Sequence, residues 1–352
     1  MTEAVKPYVL PLVLTLAISF LVSYLATPLV RKLALKFGFS DRPSPRRGGI
    51  LKPRLGGVAM YVAFVLAILA TAPLVVGRTE AEWRKIAGII AGATVVVVVG
   101  AIDDKHELKA WPQFGAQAVA AIIAMVSGVM IHNVTNPFGT ALSNSMFEFP
   151  LYFAVAFTLF WVMGAMNTVN FLDGLDGLAA GITAIAAATL FAHSFRLTQY
   201  TVSLLPLALV GAALGFLPHN FFPAKVTMGT SGALFLGYGL SCLSIIGGTK
   251  AATVLLVLGV PILDTAWIIF ARIWRRQSPF LGDRAHFHHR LGQMGLSQSQ
   301  IVLSLYSLCA VFGVLALVLS TRLLKLYAIG GMVILVGGIF ALMAQKRFDK
   351  VG

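Results

Sequence analysis

The segment 167–181 reads NTVNFLDGLDGLAAG, and it places two asparagines and two aspartates three residues apart: Asn167, Asn170, Asp173 and Asp176. The chain around it is 58% hydrophobic and only 11% charged. Carboxylates at membrane depth are costly unless a partner neutralises them, and they usually mark functional sites. Because residues one helical turn apart share a face, we expect Asp173 and Asp176 to face the same way and to share a cation.

Apolar runs long enough to cross a bilayer recur along all 352 residues on both sides of this segment. We therefore predict an all-α, polytopic integral membrane protein with about 11 transmembrane helices, forming a single transmembrane domain over residues 1–352. The predicted spans are 8–32, 55–76, 86–102, 112–132, 150–166, 174–192, 200–218, 231–247, 251–272, 300–320 and 325–345.

The net charge of +14 comes mainly from the connections between these spans. One alternating set of connections holds 19 of the 27 Lys and Arg residues and the other holds 8, which predicts an N-terminus outside and a C-terminus in the cytoplasm. We interpret the excess positive charge as fixing orientation and contacting lipid headgroups, and we expect no nucleic-acid partner. The Asp residues all fall on the cytoplasmic side, which favours an enzyme of the inner leaflet; a cation- or proton-coupled transporter is the alternative.

The pair Asp103-Asp104 follows the apolar run VVVVVGAI at the predicted cytoplasmic end of a span. Adjacent carboxylates repel each other, and acids at a helix C-terminus are further disfavoured by the helix dipole. The alternative is a solvated helix end. The cost of placing two like charges there favours a functional pair.

Two basic segments and one further acid complete the set of candidates. The segment 283–292, DRAHFHHRLG, has three histidines without a spacing that suits zinc, so we predict an anion or nucleotide pocket rather than a metal centre. The loop 36–54 contains Lys52, which either holds a phosphate or belongs to an ordinary positive-inside loop. Asp264, in the cytoplasmic half of its span, needs a partner or a water-filled cleft.

Several motifs in order along nearly the whole chain resemble the polyprenyl-phosphate N-acetylhexosamine-1-phosphate transferases. The motifs are PRLGG at 53–57, Asp103-Asp104, NTVNFLDGLDGLAAG, HNFFPAKVTMG at 219–229, PILDT at 261–265 and HFHHRL at 286–291. The HFHHR form is similar to the GlcNAc-1-phosphate branch more than to the phospho-MurNAc-pentapeptide translocase branch.

The resemblance implies a reaction in which a HexNAc 1-phosphate, GlcNAc first among the candidates, passes from a UDP-sugar to undecaprenyl phosphate. UMP is released, and the lipid-linked product starts synthesis of a cell-envelope glycan. It also implies a Mg²⁺ or Mn²⁺ cofactor and a location in the bacterial inner membrane with the active site facing the cytoplasm. The sequence leaves a homodimer open.

Roles for single residues also follow from the resemblance. Asp103, Asp104, Asp173 and Asp176 would be catalytic, and the last three would hold the metal. The substrate-binding residues would be Asn167, Asn170, Asn220, Lys52, Asp264, His286, His288, His289 and Arg290. The preferred mechanism is direct in-line attack with Asp103 as candidate base, and a covalent aspartyl intermediate is the alternative.

Thr230 marks a departure from the resemblance. The family usually has an aspartate at this position, and a hydroxyl is a weaker metal ligand than a carboxylate. Three outcomes follow: Asp104, Asp173 or Asp176 carries the metal, metal affinity is lower, or the chain is an inactive member of the family.

Overall fold

The computed structural model describes residues 5–40, 52–136, 146–246, 251–274, 291–292, 294–319 and 321–348. The described residues form these helices: α1 Lys6–Phe37, α2 Gly56–Thr71, α3 Glu80–His106, α4 Ala110–Val126, α5 Leu151–Leu172, α6 Leu178–Arg196, α7 Tyr200–Asn220, α8 Gly229–Ile245, α9 Ala251–Val257, α10 Gly259–Trp274, α11 Gln298–Val318 and α12 Arg322–Phe348. A short 3-10 helix, Ala72–Leu74, follows α2. Strands β1 (Asn133–Thr135) and β2 (Met146–Glu148) pair antiparallel, a small sheet that the all-α prediction did not include.

The described part of the chain contains 7 helices that are long and apolar enough to cross a membrane, and α4, α8 and part of α12 are shorter apolar helices. The molecule is therefore a polytopic, mainly helical membrane protein. The predicted span 251–272 is two helices, because α9 ends at Val257 and α10 begins at Gly259. Pro261 lies in the first turn of α10 and has no N–H to donate to the carbonyl of Val257, so the hydrogen-bond ladder of α9 is interrupted there.

Helix α8 lies at the centre of the bundle and packs against α2, α3, α5, α6, α7 and α9. Every residue of α8 is buried except Thr230, at its N-terminal end. A Cβ atom at Gly100 of α3 would lie 2.5 Å from Cα of Ser231, so only glycine lets the two helices cross so closely. This crossing brings the C-terminal end of α3 to the N-terminal end of α8.

Small polar side chains join the outer helices to this core. Along α1, Thr15, Ser19, Ser23 and Thr27 are buried at intervals of four residues, which places them on one face. Ser23 donates a hydrogen bond of 2.7 Å to the carbonyl of Ala212 on α7. Small hydroxyl residues let membrane helices approach closely and satisfy each other's polar groups, because lipid offers no hydrogen bonds.

Candidate active site

The C-terminal end of α3, the N-terminal end of α8 and the turn between α5 and α6 surround one polar cavity of about 190 Å³. Its lining residues are Arg54, Asp104, Asn170, Asp173, Gly174, Leu175, Asp176, Asn220, Thr227, Gly229 and Thr230. Three carboxylates and one guanidinium group therefore share a small space at one end of the bundle. The sequence prediction that the DD pair and the NTVNFLDGLDG segment form one site agrees with this geometry.

Asp104 is held by the first turn of α8. Its Oδ1 accepts a hydrogen bond of 2.7 Å from the Thr230 N–H, and its Oδ2 accepts from the N–H and the hydroxyl of Ser231 at 3.2 and 2.8 Å. Asp104 is only 3% exposed. A helix N-terminus favours negative charge, so α8 compensates a carboxylate that would otherwise be costly to bury.

Gly229 makes this contact possible. Its φ angle is +70°, and a Cβ atom there would lie 2.4 Å from both carboxylate oxygens of Asp104. A side chain would be strained by the backbone angle and would also collide with the carboxylate. The glycine that ends the HNFFPAKVTMG motif therefore has a steric reason to be there.

Asp103 has different surroundings from its neighbour and is not among the residues that line the cavity. Its Oδ1 accepts hydrogen bonds from the Leu108 N–H at 2.8 Å and from the Gln113 amide at 2.7 Å, and its Oδ2 accepts from the Thr230 hydroxyl at 2.6 Å. These contacts tie the turn between α3 and α4 to α8. The predicted role of Asp103 as a base stays untested, and its geometry is that of a positioning residue.

The segment 167–177 is not one continuous helix. Asn167 and Asn170 lie on α5, Asp173 is the C-cap residue of that helix, and Gly177 is the N-cap residue of α6. The expectation that Asp173 and Asp176 share one helix face is therefore wrong. Gly177, with φ of +84°, allows the chain to reverse, and the turn directs Asp173 and Asp176 into the cavity by its own geometry.

Asp176 is paired with Lys52, which precedes α2. The two oxygens of the carboxylate lie 3.1 and 2.7 Å from the lysine Nζ, and Oδ2 also accepts a hydrogen bond of 3.0 Å from the Ala224 N–H. The pair joins segments 124 residues apart in the sequence. Lys52 thus contacts an acid of the cavity without lining the cavity itself, and its predicted role in substrate binding stays a prediction.

Asn220 stabilises the wall of the cavity through hydrogen bonds to the backbone. It is 1% exposed; its Oδ1 accepts from the Gly177 N–H at 3.1 Å, and its Nδ2 donates to the Val226 carbonyl at 3.0 Å. The Tyr306 hydroxyl donates to the carbonyl of the same residue, Gly177. Both backbone groups of Gly177 are therefore fixed, which holds the turn carrying Asp173 and Asp176.

The remaining predicted residues lie farther from the cavity or outside the described residues. Asn167 donates to Gln117 at 2.7 Å and does not line the cavity. Asp264 is 8% exposed on α10 and does not line it either. The substrate-binding candidates His286, His288, His289 and Arg290 fall outside the described residues.

The predicted metal set of Asp104, Asp173 and Asp176 stays a prediction. Within the described residues, no group of three His, Cys, Asp or Glu side chains is gathered closely enough to form a ready-made metal site, although the three acids line the same cavity. The N-terminal turn of α8 binds Asp104 and Lys52 binds Asp176, which holds the carboxylates on separate walls. The donor set still suits Mg²⁺, because this ion usually takes one or two protein carboxylates and completes its shell with water and substrate phosphates.

Comparison with known proteins adds to this geometry. Residues 86–248 match the model of the family described as glycosyl transferase family 4. A probable undecaprenyl-phosphate N-acetylglucosaminyl 1-phosphate transferase of Bacillus subtilis is 36% identical over 83% of this chain and 80% of its own length. The chain belongs to glycosyl transferase family 4. The resemblance inferred from the motifs is confirmed.

Two further relatives of this family 4 protein represent different branches. A decaprenyl-phosphate N-acetylglucosaminephosphotransferase of Mycolicibacterium smegmatis is 32% identical over 79% of this chain and 74% of its own length. A phospho-N-acetylmuramoyl-pentapeptide-transferase of Desulforudis audaxviator is 32% identical over 80% of this chain and 90% of its own length. The protein is therefore an enzyme of a family that transfers sugar phosphates, and the transporter alternative is not supported.

Sequence reasoning about this transferase missed the donors that hold its acids. Thr230 was considered as a weak metal ligand, but its N–H and its hydroxyl bind Asp104 and Asp103. Ser231 and Tyr306 were not singled out. A Thr-Ser pair at the start of an apolar run is a helix N-terminus signal, which offered a clue to a carboxylate site there; nothing in the sequence pointed to Tyr306.

Proposed function

We propose that the enzyme transfers GlcNAc 1-phosphate from UDP-GlcNAc to undecaprenyl phosphate and releases UMP. The observation that carries this proposal is the polar cavity at one end of the membrane helix bundle, which is lined by Asp104, Asp173 and Asp176 together with Arg54. Phosphoryl transfer depends mainly on positioning and on charge stabilisation, and this cavity offers both. The names of the Bacillus and Mycolicibacterium relatives support the N-acetylglucosaminyl donor.

The size of the cavity supports phosphate groups as its occupants. Pockets that enclose a drug-sized ligand measure about 300–1,000 Å³. A volume of about 190 Å³ accommodates phosphate groups and a hydrated cation but not a whole UDP-sugar. The nucleoside and the sugar would lie against neighbouring segments, where Lys52 and the HFHHR motif are the candidates.

The reaction needs little acid–base help from the protein. An oxygen of the acceptor phosphate attacks the β-phosphorus of the donor, a new P–O bond forms, and the bond from that phosphorus to the bridging oxygen breaks. The electron pair stays on the leaving UMP. Because a phosphate monoester is largely dianionic at neutral pH, direct attack does not require Asp103 as a base.

The cavity residues would offset the charge that accumulates in this step. Arg54 supplies one fixed positive charge near Asp104. A divalent cation, Mg²⁺ or Mn²⁺, held by Asp104 and Asp173 would supply further positive charge for the pyrophosphate oxygens. Thr230 and Ser231 keep Asp104 in place through hydrogen bonds, so the carboxylate is preorganised.

We place the enzyme in the bacterial inner membrane with eleven spans, the N-terminus outside and the cavity facing the cytoplasm. The positive-inside count supports this orientation. Single cysteines that replace Arg84 and Lys105, exposed residues near opposite ends of α3, provide the test. Cys242 and Cys309 are both buried. A membrane-impermeant thiol reagent added to intact cells should label position 84 and spare position 105; labelling of position 105 would overturn the orientation.

The activity test combines purified protein, radiolabelled UDP-GlcNAc, undecaprenyl phosphate and Mg²⁺, with lipid product and UMP measured in parallel. UDP-MurNAc-pentapeptide serves as the competing donor, and EDTA removes the cation. Asp104→Asn should lower turnover by about 10²–10³, as expected for the loss of a major electrostatic contact. Glu107→Gln, an exposed carboxylate at the same helix end, is the matched control. Absence of turnover with every UDP-HexNAc would favour the inactive family member.

A further inference from the structure

A second polar cavity lies at the other end of α3. It measures about 250 Å³ and is lined by Arg78, Glu82, Lys85, Ile86, Gln199, Thr201, Val202, Leu205 and Ile246. Arg78 precedes the first residue of α3 and Asp104 lies in its last turn. At 1.5 Å per residue, the two are about 40 Å apart along the helix axis. The second cavity therefore opens on the membrane face opposite to the transfer cavity.

Arg78 is the unusual residue in this cavity. Its Nε and both terminal nitrogens are buried and have no hydrogen-bond partner within the described residues. A guanidinium group has five N–H donors, and burying them without acceptors is costly. Burial lowers the pKa of Arg78, against the opposing influence of Glu82. The side chain stacks on Trp83, with its Cζ 5.0 Å from the ring centroid. Its position is therefore defined, while the described part of the chain offers these three nitrogens no acceptor.

Glu82 is the one acid among the lining residues, and both of its oxygens accept hydrogen bonds from other donors. Oε2 accepts from the Thr79 N–H at 3.0 Å, as part of the capping box of α3. Oε1 accepts from the Thr201 hydroxyl at 2.9 Å, in the first turn of α7. Two cations and one acid leave the cavity with a net charge of about +1, and the N-termini of α3 and α7 both add positive potential.

The surroundings indicate that the missing acceptor belongs to a lipid. Val76, two residues before Arg78, is 71% exposed, and Leu74 is 39% exposed. Trp83, which stacks on Arg78, is 38% exposed, and tryptophan is enriched at the membrane–water interface. Acyl chains would cover these apolar groups while a phosphate enters the cavity beside them.

We propose that this cavity binds the phosphate of an anionic phospholipid headgroup in the leaflet opposite to the transfer cavity, with Arg78 and Lys85 as its cationic contacts. The proposal concerns binding alone and is independent of the transfer reaction. A soluble phosphate or phosphorylated metabolite has the same anionic chemistry, and the experiment separates that source from the lipid.

The test uses the full-length protein in nanodiscs of phosphatidylcholine with phosphatidylglycerol, and native mass spectrometry measures the phosphatidylglycerol that stays bound after transfer to detergent. Arg78→Gln should lower this retention about fivefold, the factor expected for one cation at a membrane surface. Lys85→Gln should act in the same direction, and Arg78→Lys should keep most of the retention. Arg84→Gln removes an exposed cation from the same helix turn and should leave retention unchanged.

Three results would overturn the proposal. The first is equal retention in wild type and Arg78→Gln when both give the same melting temperature. The second combines two observations. Inorganic phosphate in lipid-free detergent raises the melting temperature of wild type but not of Arg78→Gln, and the two proteins retain the same amount of lipid in the nanodisc experiment. This combination would assign the cavity to a soluble anion. The third is a fall in retention in Glu82→Gln equal to that in Arg78→Gln, because loss of the acid should favour anion binding; this result would assign Arg78 to an ion pair with Glu82.

Discussion

Thr230 and Asp103 are joined by a hydrogen bond of 2.6 Å in which the threonine hydroxyl donates to the carboxylate Oδ2. The backbone N–H of the same threonine donates to Asp104. One residue of α8 therefore serves both acids of the DD pair. A donor at this position offsets their mutual repulsion, whereas an aspartate would add a third negative charge to the same place.

Thr230→Val removes the hydroxyl donor at nearly constant volume. We expect the free energy of unfolding to fall by about 1–3 kcal/mol, because a buried oxygen of Asp103 loses one partner. Thermal melts of the detergent-solubilised protein provide the measurement. Thr189→Val is the control, since the Thr189 hydroxyl donates to the Ile185 carbonyl of its own helix. Equal melting temperatures for both variants would contradict a structural role of the Thr230 hydroxyl.

Thr230→Asp places a third carboxylate beside Asp103 and Asp104. The variant should be less stable than wild type without divalent cations, because three negative charges then repel each other at close range. Mg²⁺ should raise its melting temperature more than that of wild type, because a cation relieves this repulsion. Melts with EDTA and with Mg²⁺ give both values; the same Mg²⁺ effect in variant and wild type would argue against a metal position between these residues.

Gly229→Ala should disable the site with limited damage to the fold. The φ angle of +70° costs an alanine about 1–2 kcal/mol, and the added Cβ would press on the Asp104 carboxylate. Turnover should fall by much more than this stability loss accounts for, because Asp104 is displaced. Gly115→Ala adds the same methyl group to α4, where nothing lies within 4 Å, and should leave turnover unchanged. Wild-type turnover of Gly229→Ala would remove the requirement for this contact.

Lys52 and Asp176 are suited to a double-mutant cycle with Lys52→Gln and Asp176→Asn. Their side chains are only 19% and 14% exposed and in direct contact, so we expect a coupling in unfolding free energy of about 0.5–3 kcal/mol. The KM for the UDP-sugar should rise in Lys52→Gln with a smaller change in kcat, because this pair borders the part of the proposed cavity that would face the UDP-sugar. Lys109→Gln, an exposed lysine at the start of α4, is the control. An unchanged KM would exclude Lys52 from donor binding.

Tyr306→Phe tests whether the turn between α5 and α6 needs an external support. The hydroxyl of Tyr306 donates to the Gly177 carbonyl, so its loss should cost about 1 kcal/mol in stability and lower kcat through misplacement of Asp173 and Asp176. Tyr327→Phe, on the exposed side of α12, should behave as wild type. Equal kcat values for the two variants would show that the turn holds its geometry without Tyr306.

The membrane class and most helices followed from the sequence because long apolar runs leave a chain few alternatives in a bilayer. The pairing of the DD motif with NTVNFLDGLDG also followed, through the shared motif order of the family. The position at which the helix ends within NTVNFLDGLDG did not follow from the sequence. Three-residue spacing predicted one helix face for Asp173 and Asp176, but α5 ends at Leu172 and the two acids lie in a turn.

By itself, the sequence determined that this is a helical membrane enzyme of glycosyl transferase family 4 whose acids are too costly in lipid to lack a function. Only the tertiary structure decided what holds each acid in place, because their partners come from distant segments. Asp104 is held by a helix N-terminus 126 residues away, and Asp176 by a lysine 124 residues away. Such contacts depend on how the helices cross, and a local motif does not show which distant segments supply its hydrogen-bond partners.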